Sequence, residues 1–351
     1  MNETIYEIKE FFPQKASIDE LDNLFNLLDV IFLEDEKDDP LPTKESRLKQ
    51  ITDPPKIFDQ FWWLAYQKQQ VVGYGFTSFY NTNSPEYEQN KHVAYAVIRI
   101  DPEHRRKGLG TKMAKLIVAK AKESKIVKTI QTGTSIESGQ NFCVKLRGEN
   151  IMESSEHRCK LADVNWELMS EWKKQGQKNA EENGLALEYF QDVPEELIEE
   201  FCKFYTDTAN QQPLGGFEGR TLITPEERRT REERMKKKNF DWHTMISREA
   251  NGEINGLTEV YFDNDRPYEM EQDLTGVKEQ FRGKGLGKWL KAEMLFFVKE
   301  NYPKIKYIST GNADSNIAMR SINERMGFKV HMNRISYKFK LCELEETLNK
   351  L

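Results

Sequence analysis

A glycine-rich hexad occurs twice in this chain, as RRKGLG at residues 105–110 and as RGKGLG at residues 282–287. Each copy follows a run of β-type residues and precedes a helical run. Other landmarks recur in the same order at nearly the same offset, and they pair Tyr6 with Tyr189, Gly73 with Gly256, and Thr132-Gly133 with Thr310-Gly311. A chance recurrence of one motif would not carry the others along, so the chain contains two copies of one structural unit.

The domain organisation follows from this repeat. A length of 351 residues suits two domains of ordinary size. We expect a first domain over residues 1–160, a linker helix over 161–184 that ends at Gly184, and a second domain over 185–351. Within each copy we expect a strand, one or two helices, an antiparallel meander, the hexad opening a helix, a strand, a helix and a last strand. The predicted fold class is mixed α/β (α+β), with mostly antiparallel sheets flanked by helices.

Composition excludes several classes of protein. The net charge of −6 argues against a nucleic-acid binder, because such proteins carry an excess of basic residues. The four cysteines show no CxxC spacing, and the five histidines are scattered, so we expect free thiols and no metal site. Residues 24–33 (LFNLLDVIFL) are too short to span a bilayer and have the spacing of an amphipathic helix. We therefore expect a cytoplasmic protein with no membrane partner and no signal peptide.

The hexad itself predicts a phosphate site. The unpaired N–H groups at a helix N-terminus attract anions, and glycine lets the backbone approach phosphate oxygens closely. Arg282, Lys284 and Lys288 add positive charge around the second copy of the turn. The spacing from Gly283 to Gly287 is one residue too short for the P-loop of nucleotide triphosphatases, and the GxGxG pattern is not the dinucleotide fingerprint.

Both hexads resemble the Q/R-x-x-G-x-G/A pyrophosphate loop of the GCN5-related N-acetyltransferase (GNAT) superfamily. The resemblance covers most of the chain in two copies and is most specific over residues 273–328, where TGNADSNIAM and INERMGF resemble the strand and helix that end many GNAT domains. The tandem layout resembles mycothiol synthase-like proteins. The resemblance implies two tandem GNAT folds, acetyl-CoA as cofactor and acetyl transfer to an amine, with the second domain as the catalyst.

The cofactor residues are transferred from the family motif onto matching positions of the second copy. The predicted acetyl-CoA contacts are Thr275, Gly276, Val277, Arg282, Gly283, Lys284, Gly285, Leu286, Gly287, Lys288, Asn312, Asn316, Met319 and Asn323. Whether the first copy holds a second CoA site is left open by the sequence, and the residues of that site would be Arg105, Arg106, Lys107, Gly108, Leu109 and Gly110.

Acetyl transfer requires a base for the ammonium and a donor for the developing oxyanion. The family assigns the oxyanion to the Val277 backbone amide. Strand alternation predicts that Glu271, Asp273 and Thr275 share one face, so both carboxylates are candidate bases. A constant offset of 177 places Ala94, Ala96 and Ile98 at these positions of the first copy, a contrast typical of a catalytic and a degenerate copy. Two alternatives stay open: Glu259 as the base, and both carboxylates as ordinary polar strand residues.

The sequence departs from the family in two places. Many relatives carry a tyrosine as general acid where this chain has Ile322-Asn323, which leaves Tyr261, Tyr268 or solvent for that role. In the first copy Ser138 stands at the position equivalent to Asn316. We therefore expect the first copy to have a structural role and not a catalytic one.

The acceptor is predicted to be the primary amine of a small molecule, and the protein a monomer or homodimer. A peptide or protein acceptor and a non-catalytic CoA-binding module are the alternatives. The charged segment 211–239 is interpreted as a loop and a solvated helix, with a lid over the second site as the alternative.

Overall fold

A computed structural model describes residues 5–351 of the chain. Its contacts divide into two compact units. The first unit contains the chain up to Met152 together with Gly215–Arg220 and Arg334–Leu351, and the second contains Glu153–Leu214 and Thr221–Asn333.

The first unit is a sheet covered by helices. Its strands, in sheet order, are β1 (Glu7–Phe11), β2 (Phe58–Gln67), β3 (Gln70–Tyr80), β4 (Val93–Ile100), β5 (Thr129–Thr134) and the end of β12 (Lys329–Lys340). Its helices are α1 (Ile18–Asp35), α2 (Lys44–Thr52), α3 (Tyr87–Asn90), α4 (Leu109–Glu123), α5 (Glu137–Lys145) and α11 (Leu341–Asn349). The β4–β5 pair is parallel, and the other pairs recorded in this unit are antiparallel.

The second unit repeats this arrangement. Its strands, in sheet order, are β6 (Glu149–Lys160), β11 (Tyr307–Ala313), β10 (Glu269–Val277), β9 (Ile254–Asp263), β8 (Phe240–Arg248) and β7 (Ala186–Phe190). Its helices are α6 (Trp166–Asn183), α7 (Ile198–Asn210), α8 (Pro225–Lys237), α9 (Leu286–Asn301) and α10 (Ile317–Met326). The parallel pair is β10–β11. The predicted mixed α/β class with mostly antiparallel strands is confirmed in each unit.

The last strand of each sequence copy is exchanged. Residues 154–160 of β6 pair with β11 in the second unit, and residues 335–340 of β12 pair with β5 in the first. The predicted boundaries at 160 and 184 follow the repeat along the chain, and they remain a prediction about the two copies. The compact units divide differently because each copy's last strand fits the same slot beside the other copy's fifth strand.

Local sequence explains the helices that frame the units. Ser17 and Glu20 form a reciprocal capping box at the start of α1, which contains the amphipathic stretch predicted over residues 24–33. Helix α6 ends at Gly184 in the left-handed conformation, as predicted. It is more than a linker, because Met169 and Trp172 are buried in the core of the second unit.

Each core lies between the sheet and its helices. In the first unit the main cluster joins β4 and β5 to α4 and α11, and in the second it joins β9 and β10 to α6 and α9. All four cysteines are free thiols, three of them buried. Among the helices of residues 5–351, none combines the length and hydropathy required to cross a membrane.

Candidate active site

The second hexad forms the strand-to-helix turn that the sequence predicts. Gly283 and Gly285 adopt positive φ angles of 76° and 86°, which other residues resist, and Gly285 is the N-cap of α9. A Cβ atom at either glycine would meet no atom within 4 Å, so the backbone faces open space. Arg282 donates to the neutral amide of Gln211 and therefore keeps its net positive charge. The turn thus presents helix N–H groups and a cation to an anion.

Strand β10 separates from its parallel neighbour beside this turn. Pairing with β11 covers only Glu269–Glu271, although Thr310 Oγ1 still donates to the Gln272 carbonyl at 3.0 Å. The Lys278 amide donates to the Asn255 carbonyl of the neighbouring strand β9. Because successive amides of a strand point in opposite directions, the Val277 N–H points to the side from which β11 has diverged. This is the backbone orientation that the family role of Val277 requires.

A β-bulge changes which side chains share a face of β10. The register with β9 shifts between Gln272 and Thr275, so Asp273 and Leu274 of β10 lie opposite the single residue Glu259 of β9. Thr275 Oγ1 lies 2.8 Å from Thr258 Oγ1, and Gln272 Nε2 donates to the same Thr258 hydroxyl. The prediction that Thr275 shares a face with both carboxylates is therefore wrong, since the bulge returns Thr275 to the face of Gln272.

Glu271 has the properties of a general base. Its side chain is reached by solvent, and no hydrogen bond or ion pair is recorded for it among residues 5–351. The surrounding protein disfavours its charge, and repulsion from Asp273, Glu269 and Glu156 adds to this effect, so the pKa of Glu271 is raised to about 7. A carboxylate that titrates near neutral pH is well matched to accepting a proton from an ammonium group.

The other two candidate carboxylates have different surroundings. Asp273 accepts a hydrogen bond from the Tyr261 hydroxyl at 3.1 Å, and burial raises its pKa. Glu259 is fully buried, with one carboxylate oxygen bonded to Arg228 at 3.0 Å and to the Thr244 hydroxyl at 2.7 Å. A proton acceptor must contact the substrate, so complete burial and an ion pair argue against Glu259 as the base.

Helix α8 is not the solvated helix that the sequence suggested. Arg228 is 1% exposed and bridges Glu259 to Glu232 of its own helix, at 2.8 Å from the latter. Its guanidinium lies 3.5 Å from the centre of the Trp242 ring. Three charged residues of α8 are therefore buried, because each has a partner of opposite charge: Glu227, Arg228 and Glu232.

The middle of segment 211–239 also departs from the simple loop interpretation. Residues 215–220 belong to the first unit, where the Gly216 amide donates to the Ile151 carbonyl and Glu218 pairs with His92 and Lys338. The remaining parts of the segment belong to the second unit. The lid interpretation stays untested for the second site.

The α10 region holds the remaining predicted cofactor residues. Asn316 caps α10 by accepting from the Met319 amide. Asn323 is fully buried and donates to Asn312 at 2.6 Å, and no hydrogen bond is recorded for its side-chain Oδ1 among the described residues. The structure thus places Asn312, Asn316, Met319 and Asn323 within or just before one helix. The cap accounts for Asn316, and the bond from Asn323 accounts for Asn312, without a ligand.

Gly276 is explained by packing. A Cβ atom there would lie 2.1 Å from the Thr208 methyl group of α7, so only glycine allows α7 to approach β10 this closely. Tyr205 of the same helix lies near the carboxylates. Its pKa is raised well above the ordinary value, mainly by burial and then by the negative charges of Asp273 and Glu259. Sequence reasoning missed Tyr205 and Arg228, because neither belongs to a motif.

The first copy differs from the predicted alignment. Its strand β4 pairs with β3 without interruption. Ile100 lies six residues after Ala94, whereas Val277 lies seven residues after Met270, although the paired stretches of β3 and β9 have the same length. The position of Glu271 therefore corresponds to Tyr95, and the constant offset that assigned Ala94 to it is wrong. Ala94 and Ala96 lie on the opposite face, packed against α4.

A cleft adjoins the first hexad. Gly108 caps α4 with φ 82°, and Arg105 is held by Glu34 and by Ser138. The Glu34 carboxylate neutralises Arg105, whereas the partner recorded for the Arg282 side chain among residues 5–351 is the neutral amide of Gln211. The acceptor side of β4 is covered, since a Cβ atom on Gly219 would lie 3.3 Å from the Tyr95 hydroxyl.

Comparison with known proteins agrees with this architecture. The family model of the acetyltransferase (GNAT) family matches residues 21–145 and again residues 195–328. A tandem GNAT protein from the clavulanic acid biosynthesis pathway has a TM-score of 0.72 at 17% identity, with 96% of this chain and 99% of that chain covered. A GCN5-related N-acetyltransferase from Sphaerobacter thermophilus has a TM-score of 0.64 at 13% identity, with 96% of each chain covered.

A fungal glucosamine N-acetyltransferase region of a multi-domain β-N-acetylglucosaminidase has a TM-score of 0.65 at 13% identity, with 95% of this chain and 38% of that chain covered. At such identities these likenesses show the fold alone. No curated protein matches this chain in sequence. The family model covers most of the chain in two regions, and the chain therefore belongs to the GNAT acetyltransferase family, whose acyl donor is acetyl-CoA.

Proposed function

We propose that the second unit transfers the acetyl group of acetyl-CoA directly to the primary amine of a small molecule. Membership of the family makes the chain an acyltransferase. The observation that supports the finer statement is Glu271, an accessible carboxylate with no recorded partner and a pKa of about 7, beside the bulge where β10 and β11 separate.

The residues around the second hexad fit acetyl-CoA. The backbone of residues 283–287 and the charge of Arg282 would hold the pyrophosphate. The Val277 N–H would hydrogen-bond the acetyl carbonyl oxygen, which gains negative charge during attack. When bound, acetyl-CoA supplies a thioester that an amine can attack without a covalent enzyme intermediate. The chain then has to deprotonate the amine and position it.

Glu271 is proposed to accept the ammonium proton on its carboxylate. Asp273 adds a second negative group to the same region and is held in place by Tyr261. The pKa of Tyr261 is raised well above its ordinary value by burial and by Asp273, so its hydroxyl keeps its proton at neutral pH. Tyr261 is preferred to Tyr268 as a proton donor because its hydroxyl lies beside the Asp273 carboxylate, whereas the Tyr268 hydroxyl lies beside Arg266.

The size of the acceptor is inferred from the helices that flank the carboxylates. Tyr205 of α7 and Arg228 of α8 both interact with groups on this face of the sheet. A face enclosed by two packed helices favours a small amine over a peptide, and its carboxylates favour a cation. The buried free thiols suit the reducing cytoplasm predicted from composition.

The test is acetyl transfer by the full chain to a panel of primary amines, with release of the CoA thiol as the readout. The panel contains amino sugars, diamines, amino acids and short peptides. For the best acceptor, Glu271→Gln should lower kcat about 100-fold or more, which is the usual contribution of a general base. Acetyl-CoA binding, measured by calorimetry, should not change.

The matched control is Glu300→Gln, which removes an exposed carboxylate on α9. Its kcat should equal that of the wild type. Full activity in Glu271→Gln would remove the base assignment. Thiol release with peptides alone would favour a peptide acceptor, and binding without release for any amine would favour a non-catalytic CoA-binding module.

A further inference from the structure

Two adjoining cavities occupy the first unit on the α4 side of its sheet. The outer cavity has a volume of about 270 Å³ and is lined by most of the hexad together with Ser138, Asn141 and Lys145. The inner cavity has a volume of about 100 Å³. The outer cavity is close to the lower end of the range of small-molecule sites, and the inner one is smaller. The two cavities adjoin, because they share Ile98, Ile136 and Phe142 as walls.

The inner cavity is mainly apolar. Its walls include Ala96 of β4, Ala114 and Ile117 of α4, Ile130 of β5, Phe339 of β12 and Leu344 of α11, and its polar members are Arg99, Thr132 and Thr134. It lies where β4 and β5 separate, since their pairing covers only Val93–Tyr95 with Thr129–Gln131. The unbulged β4 directs its small Ala96 side chain to this face, which leaves room between the strands and α4. The apolar part of this lining favours hydrocarbon.

The opposite face of β4 is covered in part by another segment of the first unit. Tyr95 stands at the position of Glu271, and Gly219 of the segment 215–220 lies against it. Asn90 fixes this segment with two hydrogen bonds, both 2.9 Å long, to the Arg220 amide and carbonyl. The first unit therefore combines a phosphate turn and an apolar cleft with a covered acceptor face.

We propose that the first unit binds an acyl-CoA with an apolar acyl chain longer than acetyl and holds it without transferring it. The phosphates would contact the turn at Gly108 and the side chains of Arg106 and Lys145, and the chain would fill the inner cavity. The inference rests on CoA binding at the first hexad, which the proposed function leaves open. It does not depend on catalysis in the second unit.

The test uses the full chain with Gly285→Glu, so that the second hexad does not contribute. Calorimetry compares CoA, acetyl-CoA and octanoyl-CoA. Octanoyl-CoA should bind about tenfold or more tightly than acetyl-CoA, because each additional buried methylene is favourable. Adding Gly108→Glu should abolish binding of all three ligands.

Filling the inner cavity should remove the preference and leave acetyl-CoA binding intact. Ile117→Trp fills it from α4, and Ala96→Leu fills it from β4 and serves if the first variant does not fold. Ile126→Trp is the matched control, because Ile126 is 40% exposed and lies outside the cavity.

Three outcomes would overturn the proposal: equal affinity for acetyl-CoA and octanoyl-CoA, an octanoyl preference that survives both cavity-filling variants, and octanoyl binding that survives Gly108→Glu. Failure of the proposed function would show separately, as wild-type acetyl transfer that is absent or is unchanged by Gly285→Glu.

Discussion

Each unit contains a glycine hexad, and the strand before it is one residue longer in the second unit than in the first. In the second unit, the extra residue in β10 forms a bulge, and the strand carries Glu271 and Asp273 on the face below α7 and α8. In the first unit, β4 pairs without a bulge and carries Tyr95 at the equivalent position. The glycine turn is therefore present in both units, whereas the carboxylates beside it occur only in the second of the two strands compared.

Buried arginines at equivalent positions provide the largest expected effect. Arg47 and Arg228 both lie four residues after the threonine that caps their helix, α2 or α8. Arg228 pairs with two carboxylates that are 4% exposed or less, whereas the Asp29 partner of Arg47 is 39% exposed. Arg228→Met should cost about 3–5 kcal/mol of unfolding free energy, because it leaves buried carboxylates without a counter-charge.

The control is Arg47→Met, which should cost about 1 kcal/mol from its ion pair, since water can solvate Asp29 once the arginine is gone. Urea unfolding at pH 7 measures both values. The Arg228→Met loss should shrink as pH falls towards 5, since burial already raises the pKa of Glu259 and protonation removes its buried charge. Equal losses in the two variants would show that the buried network adds nothing specific to the second unit.

The two hexads can be compared by introducing a glutamate at the same position of each. Gly285→Glu forces a left-handed conformation on glutamate and places a negative charge near the pyrophosphate. Two charges 4 Å apart repel by about 4 kcal/mol near a protein surface. We expect acetyl transfer to fall about 100-fold or more in this variant, as measured by thiol release. Gly108→Glu should leave transfer unchanged, and a comparable loss there would move catalysis to the first unit.

The pH dependence of kcat tests whether Glu271, which the first unit replaces by Tyr95, is the base. The proposed base works only when deprotonated, and the pKa of Glu271 is about 7. The value of kcat should therefore fall as pH decreases through 7, by about tenfold for each unit below it. This limb should be absent in Glu271→Gln. A limb that remains in that variant would assign the base to Asp273.

The sequence predicted the repeat, the fold class and the glycine turns at the starts of α4 and α9, because glycines at helix starts and collinear landmarks are local signals. It could not predict the face on which Thr275 lies, or that Tyr95 of the first copy is equivalent to Glu271 of the second. One extra residue in β10 shifts every later side chain of that strand to the other face. The exchanged last strands were also hidden, because both copies fill the same slot. Arg228 was interpreted as solvated, since its buried partner Glu259 lies 31 residues away.

The smallest expected effect concerns the residue two positions before the helix cap. Arg106 has φ 61° where the second unit has Gly283 with φ 76°. Gly283→Ala should cost about 1 kcal/mol locally, because a side chain resists the left-handed region. Arg106→Gly should change stability by less than about 0.5 kcal/mol, since relief of that strain is offset by a more flexible unfolded chain. Hydrogen exchange in the first turns of α4 and α9 measures both changes. A large gain for Arg106→Gly would show that the first turn is strained, and a loss would show that the Arg106 side chain stabilises it.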